Sequence, residues 1–513
     1  MFAKCYSGAI NGAESSVVEI EVYSSSKSTS SFTIVGLPDT AVKEAKDRVS
    51  TALKNSGFAS KNEYSVTVNL APADVRKEGP IYDLPIAVCL LKATQRLRTE
   101  ELERYAMVGE LSLSGEVRRV RGILPIVMEM RRIGCRAVLV PAANVEEASV
   151  VEGIDVIPVR TLAEAVGYLN GDTAIEPRYT DLAELVLADR DAGDDFADVK
   201  GQPVVKRALE VAVAGGHNVL MIGTPGSGKT MLARRVPSIL PPMSVVEALE
   251  VSSLHSLAGR EKTGDGFVTR RPFRAPHHTV SSIGLLGGGA HAVPGEVSLA
   301  HRGVLFLDEF AEFPRQALEV LRQPLEDGHV VVSRAAAACD YPSRFMLIAA
   351  MNPCPCGFFN DPTHECRCTM RQIARYQQRI SGPLLDRIDI QVAVSAVPVK
   401  ELAGLAPGES SAVIRERVVR ARAVQAERYR AMTGVHTNAD ARSRDLKEIC
   451  RMDRPAAEAL ERSIERLNLS ARAYDRILRV ARTVADLDGK ATVDAASVMS
   501  AVGYRQLDTA FWL

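Results

Sequence analysis

Two short runs of this sequence carry side chains suited to phosphate chemistry. The first, Gly223-Thr224-Pro225-Gly226-Ser227-Gly228-Lys229-Thr230, directly follows Asn218 and the apolar residues 219–222. A strand that runs into a glycine-rich turn and a helix start is a phosphate cradle. Its glycines let successive backbone N–H groups face inward, Lys229 can reach the β- and γ-phosphates, and the Thr230 hydroxyl can hold Mg²⁺. The second run is Gly303-Val-Leu-Phe-Leu-Asp308-Glu309. A continuous apolar run of this kind suits a strand buried on both faces, and it delivers two carboxylates at its carboxyl edge, where α/β sheets bind ligands. There Asp308 would hold Mg²⁺ through water and Glu309 would polarise an attacking water. Alone, the acid pair reads as a solvated strand end. Combined with a phosphate loop earlier in the chain, it predicts Mg²⁺-dependent hydrolysis of ATP.

A third cluster is Cys354, Cys356, Cys366 and Cys368. Four thiols so close in sequence can close a tetrahedral Zn²⁺ site, and His364 could replace one of them, although Cys-x-Cys is a less typical arm than Cys-x-x-Cys. Reduced, unmetallated thiols are the other reading. The remaining five of the nine cysteines are scattered, which suits buried or free thiols rather than a disulfide framework.

At 513 residues the chain is too long for one core. Lys plus Arg equals Asp plus Glu at 63 each, so net charge gives no argument for nucleic acid, and any DNA-binding surface must be local. No apolar run is long enough to span a bilayer, and the first residues show no basic segment followed by an apolar one; a cytoplasmic protein is expected.

Residues 1–172 read as an α/β domain with strands at 31–35 and 64–70, a helix over 40–55 ended by Ser56-Gly57, and a hairpin over 108–117 turning at Ser114-Gly115. The order of these pieces, with Lys77-Glu-Gly-Pro80 and Asp83-Leu-Pro85, resembles the Lon-protease-type domain of the ribosomal-S5-like fold. The residues argue against proteolysis. Ile81 stands where that resemblance would put the serine nucleophile, and Leu124 where it would put the lysine. Acyl transfer has no nucleophile to run on. A non-proteolytic module is expected.

Residues 173–197, with an acidic glycine-containing run near their end, read as a linker. Residues 198–398 read as a nucleotide-binding α/β core: a helix over 204–214, the phosphate loop and its helix stopped by Pro237, and buried strands at 304–307, 345–350 and 388–394. Between them, residues 274–301 hold many glycines and the histidines 277, 278, 291 and 301. Metal binding is not expected there, because adjacent His277 and His278 point apart in most backbones; loops or hairpins facing a polymer are. Residues 399–513 read as helices over 411–429, 455–467, 471–485 and 495–502. Arg415, Arg417, Arg420, Arg422, Arg428 and Arg430 form a basic run that could line nucleic acid or simply be solvated.

The Lon-like first domain, the phosphate loop, Ala275-Pro-His-His-Thr279, Leu305-Phe-Leu-Asp-Glu309, Met351-Asn-Pro-Cys-Pro-Cys-Gly357 and Ser470-Ala-Arg472 together resemble the magnesium-chelatase-like AAA+ ATPases of the ComM (YifB) family, over essentially the whole chain. That resemblance implies an S5-like domain, an AAA+ P-loop core and a C-terminal helical lid. It implies Val199 and Gln202 against adenine, Asn352 sensing the γ-phosphate, Arg472 covering it from the lid, and Arg387 acting as a finger on the neighbouring subunit's nucleotide. It further implies a homo-hexameric DNA motor working on branched or single-stranded DNA, of the branch-migration type associated with natural transformation. A chelatase-like metal-insertion chaperone and a protein remodeller are the alternatives.

Overall fold

The computed structural model describes residues 1–513 except 27–30, 59–63, 189–192, 260–266, 290–291, 334–337, 397–406, 468–469, 506 and 508–513. Parts of the expected linker (189–192) and of the lid's start (399–406), together with His291, lie outside the described residues. The chain forms two compact units, Met1–Val186 with Ser244–Thr269 and Ser333–Asp340, and Leu187–Met243 with Arg270–Val332 and Tyr341–Leu513.

In the first unit β1 (Phe2–Asn11) and β2 (Glu14–Ser26) form a long antiparallel hairpin turning at Gly12, whose φ of 65° suits glycine. β3 (Ser31–Val35), β4 (Tyr64–Ala71), β5 (Tyr105–Met107), β8 (Ala137–Pro141) and β9 (Asp155–Val159) complete a sheet ordered β3-β4-β2-β1-β5-β8-β9. Val18, Ile20 and Val22 alternate inward along β2, the period-2 pattern that fixes strand register. The expected 108–117 hairpin is present as β6 (Glu110–Leu111) and β7 (Val117–Arg118). The helix read over 40–55 is two helices, Thr40–Lys43 and Ala45–Asn55, breaking at Glu44. Asp39 caps the first through Val42 N–H at 2.7 Å, so the first turn is set by a local side-chain bond.

Helix Asp83–Ala93 is buried along nearly its whole length. Its first carboxylate, Asp83, is held by Arg48 at 2.7 and 3.0 Å and by Leu111 N–H at 3.2 Å; a buried charge needs such partners. Leu124 is fully buried in helix Ile123–Arg132, and Ile81 packs on the same unit's core. Lys77 is also fully buried, and its ammonium donates to the Pro72 carbonyl.

The second unit is built on a parallel sheet of β10 (Val219–Gly223), β11 (Phe273–Arg274), β14 (Val304–Leu307), β17 (Met346–Met351) and β18 (Ile390–Val394), ordered β11-β14-β17-β10-β18. Two small ribbons, β12 (Gly287–Gly288) with β13 (Val293–Pro294) and β15 (His329–Ser333) with β16 (Ala338–Pro342), lie outside it. Every residue of β14 and β17 is buried, the signature of strands covered on both faces. Each fully buried aliphatic side chain contributes about 1.5–3 kcal/mol, so the strand ends that carry the polar loops are firmly anchored.

Helices Pro203–Gly215, Ser411–Tyr429, Arg454–Leu467, Ala471–Leu487 and Ala495–Gly503 share one hydrophobic core with this sheet, through residues such as Val213, Ile414, Leu460, Ala481 and Val498. Lid and sheet are therefore packed as one body within this unit. Three of the arginines of helix Ser411–Tyr429 are engaged within the unit rather than open to solvent. Arg417 reaches Glu210 at 2.5 Å and Glu409 at 2.6 Å, Arg422 donates to the Val213 carbonyl at 2.8 Å, and Arg428 pairs with Asp486 at 2.5 Å. No helix among the described residues is long and apolar enough to cross a membrane.

Candidate nucleotide site

The parallel sheet brings the carboxyl ends of β10, β14 and β17 to one edge, so residues far apart in sequence meet there. After β10 the chain turns through Gly226 (φ 76°) and Gly228 (φ 92°) into helix Lys229–Arg235. A side chain at Gly223 would put its Cβ 2.2 Å from the Val394 carbonyl oxygen, so the loop can leave the strand there only as glycine.

Lys229 is folded onto this loop. Its Nζ donates to the carbonyls of Gly223 (2.8 Å) and Thr224 (2.9 Å), approaches Ser227 Oγ (3.5 Å), and donates to Asn352 Oδ1 (3.2 Å) at the end of β17. Burial pushes the ammonium down to about 8, an effect that the Asp308 charge partly offsets. Thr230 donates its hydroxyl to Asp308 Oδ2 at 2.6 Å. A hydroxyl and a carboxylate oxygen in contact are the hard donors that Mg²⁺ takes, and Mg²⁺ binding typically leaves its remaining positions to water and phosphate, so this pair fits the ion.

Glu309 follows in the left-handed region (φ 52°), and its backbone N–H donates to Asp308 Oδ1 at 2.9 Å. The Glu309 carboxylate does not stand alone: His278 Nδ1 lies 2.9 Å from its Oε2. The His277 and His278 rings are 4.1 Å apart, centre to centre, which corrects the expectation that they diverge. Sequence reasoning gave His278 no role, because nothing local links it to a carboxylate on another strand. Arg274, on β11, holds Glu296 at 2.7 and 2.9 Å, and the β12–β13 ribbon lies between them in sequence.

Gln202 sits at the start of helix Pro203–Gly215 in the left-handed region (φ 54°) and donates to the carbonyls of Ser227 (2.8 Å) and Ser395 (3.2 Å). Its Oε1 is buried without a hydrogen-bond partner, an acceptor available to a ligand amine. Val199 is buried, and its carbonyl accepts from Lys206.

The two expected arginines hold carboxylates of their own chain. Arg387 pairs with Glu326, not with either neighbouring aspartate. Asp386 instead takes Arg472 at 3.1 Å and Arg476 at 3.3 Å, while Asp389 lies 3.3 Å from His217. Arg476 is almost fully buried, and its Nη1 has no hydrogen-bond partner.

The sulfurs of Cys354, Cys356, Cys366 and Cys368 all lie within 4.8 Å of one another, the one such group of metal-ligating side chains among the described residues. His364 is not part of it; the ring stacks on Phe358 at 4.8 Å and its Nδ1 lies 3.4 Å from Asp361, so it does not replace a thiol.

Three family models match the chain: "Subunit ChlI of Mg-chelatase" over residues 18–144, "Magnesium chelatase, subunit ChlI" over 195–402 and "Magnesium chelatase, subunit ChlI C-terminal" over 408–505. Competence protein ComM of Haemophilus influenzae is 42% identical over 505 residues, covering 98% of this chain and 97% of its own. YifB of Escherichia coli is 42% identical over 502 residues, covering 97% and 96%. A shorter likeness joins 24% of the chain to Lon protease 2 of Bacillus subtilis at 26% identity, in keeping with a Lon-like first domain. The chain belongs to the ComM/YifB family of magnesium-chelatase-like AAA+ proteins.

Proposed function

We propose that the protein is an ATP-driven, ring-forming DNA motor of the branch-migration type. The observation that carries the ATPase part is the meeting of Lys229, Thr230, Asp308 and Asn352 at one sheet edge. Lys229 exchanges the Gly223 and Thr224 carbonyls for β- and γ-phosphate oxygens, which are stronger, charged acceptors. Thr230 and Asp308 hold Mg²⁺, which when bound neutralises charge on the same oxygens. Glu309 orients and deprotonates the attacking water, and Asn352 reads the γ-phosphate once Lys229 has turned to it. Gln202, through its unpartnered Oε1, accepts from the adenine amine, and Val199 lines the base.

In this reading Arg387 leaves Glu326 to reach the neighbouring subunit's nucleotide, and Arg472 moves from Asp386 to cover the γ-phosphate. The role of Arg387 needs a ring, and a homo-hexamer is the assembly proposed. DNA as the track follows the family resemblance and the relative named a competence protein. ATP turnover measured with and without four-way, duplex and single-stranded DNA tests it: stimulation by branched or single-stranded DNA is expected.

One observation favours a second reading. All three matching family models are described as magnesium chelatase subunits, including the one on the first domain. A chelatase-like chaperone would show turnover indifferent to DNA and stimulated by a metallating partner.

A further inference from the structure

The four-thiol loop is wired into the nucleotide site at both ends. It begins two residues after Asn352, whose Oδ1 accepts from Lys229. Within it Gly357 (φ 88°) sits so close to the phosphate loop that a Cβ there would lie 2.6 Å from Pro225 Cγ and Cδ and 3.9 Å from Asn352 Cγ. Past Cys368, Thr369 caps helix Met370–Gln377 with a reciprocal capping box, its Oγ1 accepting from Gln372 N–H at 3.3 Å. Just past that helix Arg379 donates to the Ala311 carbonyl at 3.0 Å and to Glu312 at 2.6 Å, in the turn that follows Asp308 and Glu309. The chain thus leaves Asn352, passes four thiols, and comes back to the turn after the Asp308–Glu309 pair.

The thiols have the spacing of metal ligands. Cys354 and Cys356 sulfurs are 3.3 Å apart, Cys354 and Cys366 3.7 Å, and Cys356 and Cys366 3.6 Å. A tetrahedron of sulfurs at the Zn–S distance of about 2.3 Å has edges of about 3.8 Å, whereas a disulfide needs about 2.05 Å.

We infer that Cys354, Cys356, Cys366 and Cys368 bind one Zn²⁺ per chain, and that the ion is a strut of the ATP site, fixing Gly357 against Pro225 and Asn352 against Lys229. This rests on the ATP-binding reading of the phosphate loop but not on any DNA activity. Without the ion the loop between β17 and helix Met370–Gln377 is no longer closed, and the cradle loses its outer wall.

The test uses the full chain purified without chelator. Zinc content by mass spectrometry, the Kd of a fluorescent ATP analogue at saturating Mg²⁺, and thermal unfolding are measured on wild type, on wild type stripped with chelator and returned to Mg²⁺, and on Gly357→Ala. One zinc per chain is expected, with analogue binding about tenfold weaker after stripping and restored by added Zn²⁺. Gly357→Ala, which leaves all four ligands in place, should keep its zinc and still bind the analogue more weakly. Purified protein without zinc, or stripped but folded protein that binds with unchanged Kd, would overturn the inference. If the zinc-loaded protein bound no analogue, the ATP site itself would fall, and the inference with it.

Discussion

His278 Nδ1 stands 2.9 Å from Glu309 Oε2, so the carboxylate proposed to activate water is engaged by an imidazole from the loop after the neighbouring strand. To turn toward an attacking water, this carboxylate must give up the His278 contact. His278→Ala should therefore raise ATP turnover in the absence of DNA by about two- to fivefold, the scale of one partly exposed hydrogen bond, without changing ATP affinity. Steady-state kinetics check it; a fall in turnover would mean that His278 aids the chemistry.

Lys229 donates to two loop carbonyls and to Asn352, and no other ammonium reaches that cluster among the described residues. Lys229→Ala should weaken ATP binding by about two orders of magnitude, the loss of charge-assisted bonds to phosphate. Titration calorimetry reads it directly, and unchanged affinity would remove Lys229 from the site.

The same lysine gives a pH dependence. Burial holds its ammonium down to about 8, and phosphate contact must raise it, so above that pH nucleotide binding takes up a proton. ATP affinity should fall as pH rises from 8 toward 10, approaching tenfold per pH unit, and be flat between 7 and 8 apart from the nucleotide's own titration. Proton uptake measured at pH 9 in buffers of different ionisation enthalpy separates the lysine from general loss of binding. Lys229→Arg, which stays charged, should lack the uptake.

Arg387 is held by Glu326 of its own chain, and its proposed work is on the neighbour's nucleotide. Arg387→Ala should bind ATP normally and lose about a thousandfold in turnover. Mixed with Lys229→Ala, which keeps the finger but lacks the cradle, it should regain turnover in shared rings. No recovery in mixtures shown to co-assemble would place the finger elsewhere.

Much of the site was legible because it is local. The phosphate loop follows its strand without a break, and β14 announces Asp308 and Glu309 by an uninterrupted apolar run. What was not legible depends on strand order. Lys229 and Asn352 are 123 residues apart, and they meet only because β17 is the neighbour of β10. His278 reaches Glu309 because β11 pairs with β14, which no spacing reveals. The arginines of helix Ser411–Tyr429 looked like a charged face because their acids, Glu210 and Asp486, come from other helices. Sequence adjacency puts Arg387 beside Asp386 and Asp389, but those carboxylates are engaged by Arg472, Arg476 and His217, and Arg387 reaches Glu326 instead.

The central claim is that ATP hydrolysis at Lys229, Thr230, Asp308 and Glu309 moves DNA. Its most direct test is ATP-dependent migration of a four-way junction by the purified protein, with Glu309→Gln, which should bind ATP but lose about a hundredfold or more in turnover, as the control. Migration by wild type that is lost in Glu309→Gln is the predicted result. Wild-type ATP turnover with no migration, and with a rate indifferent to four-way, duplex and single-stranded DNA, would contradict it.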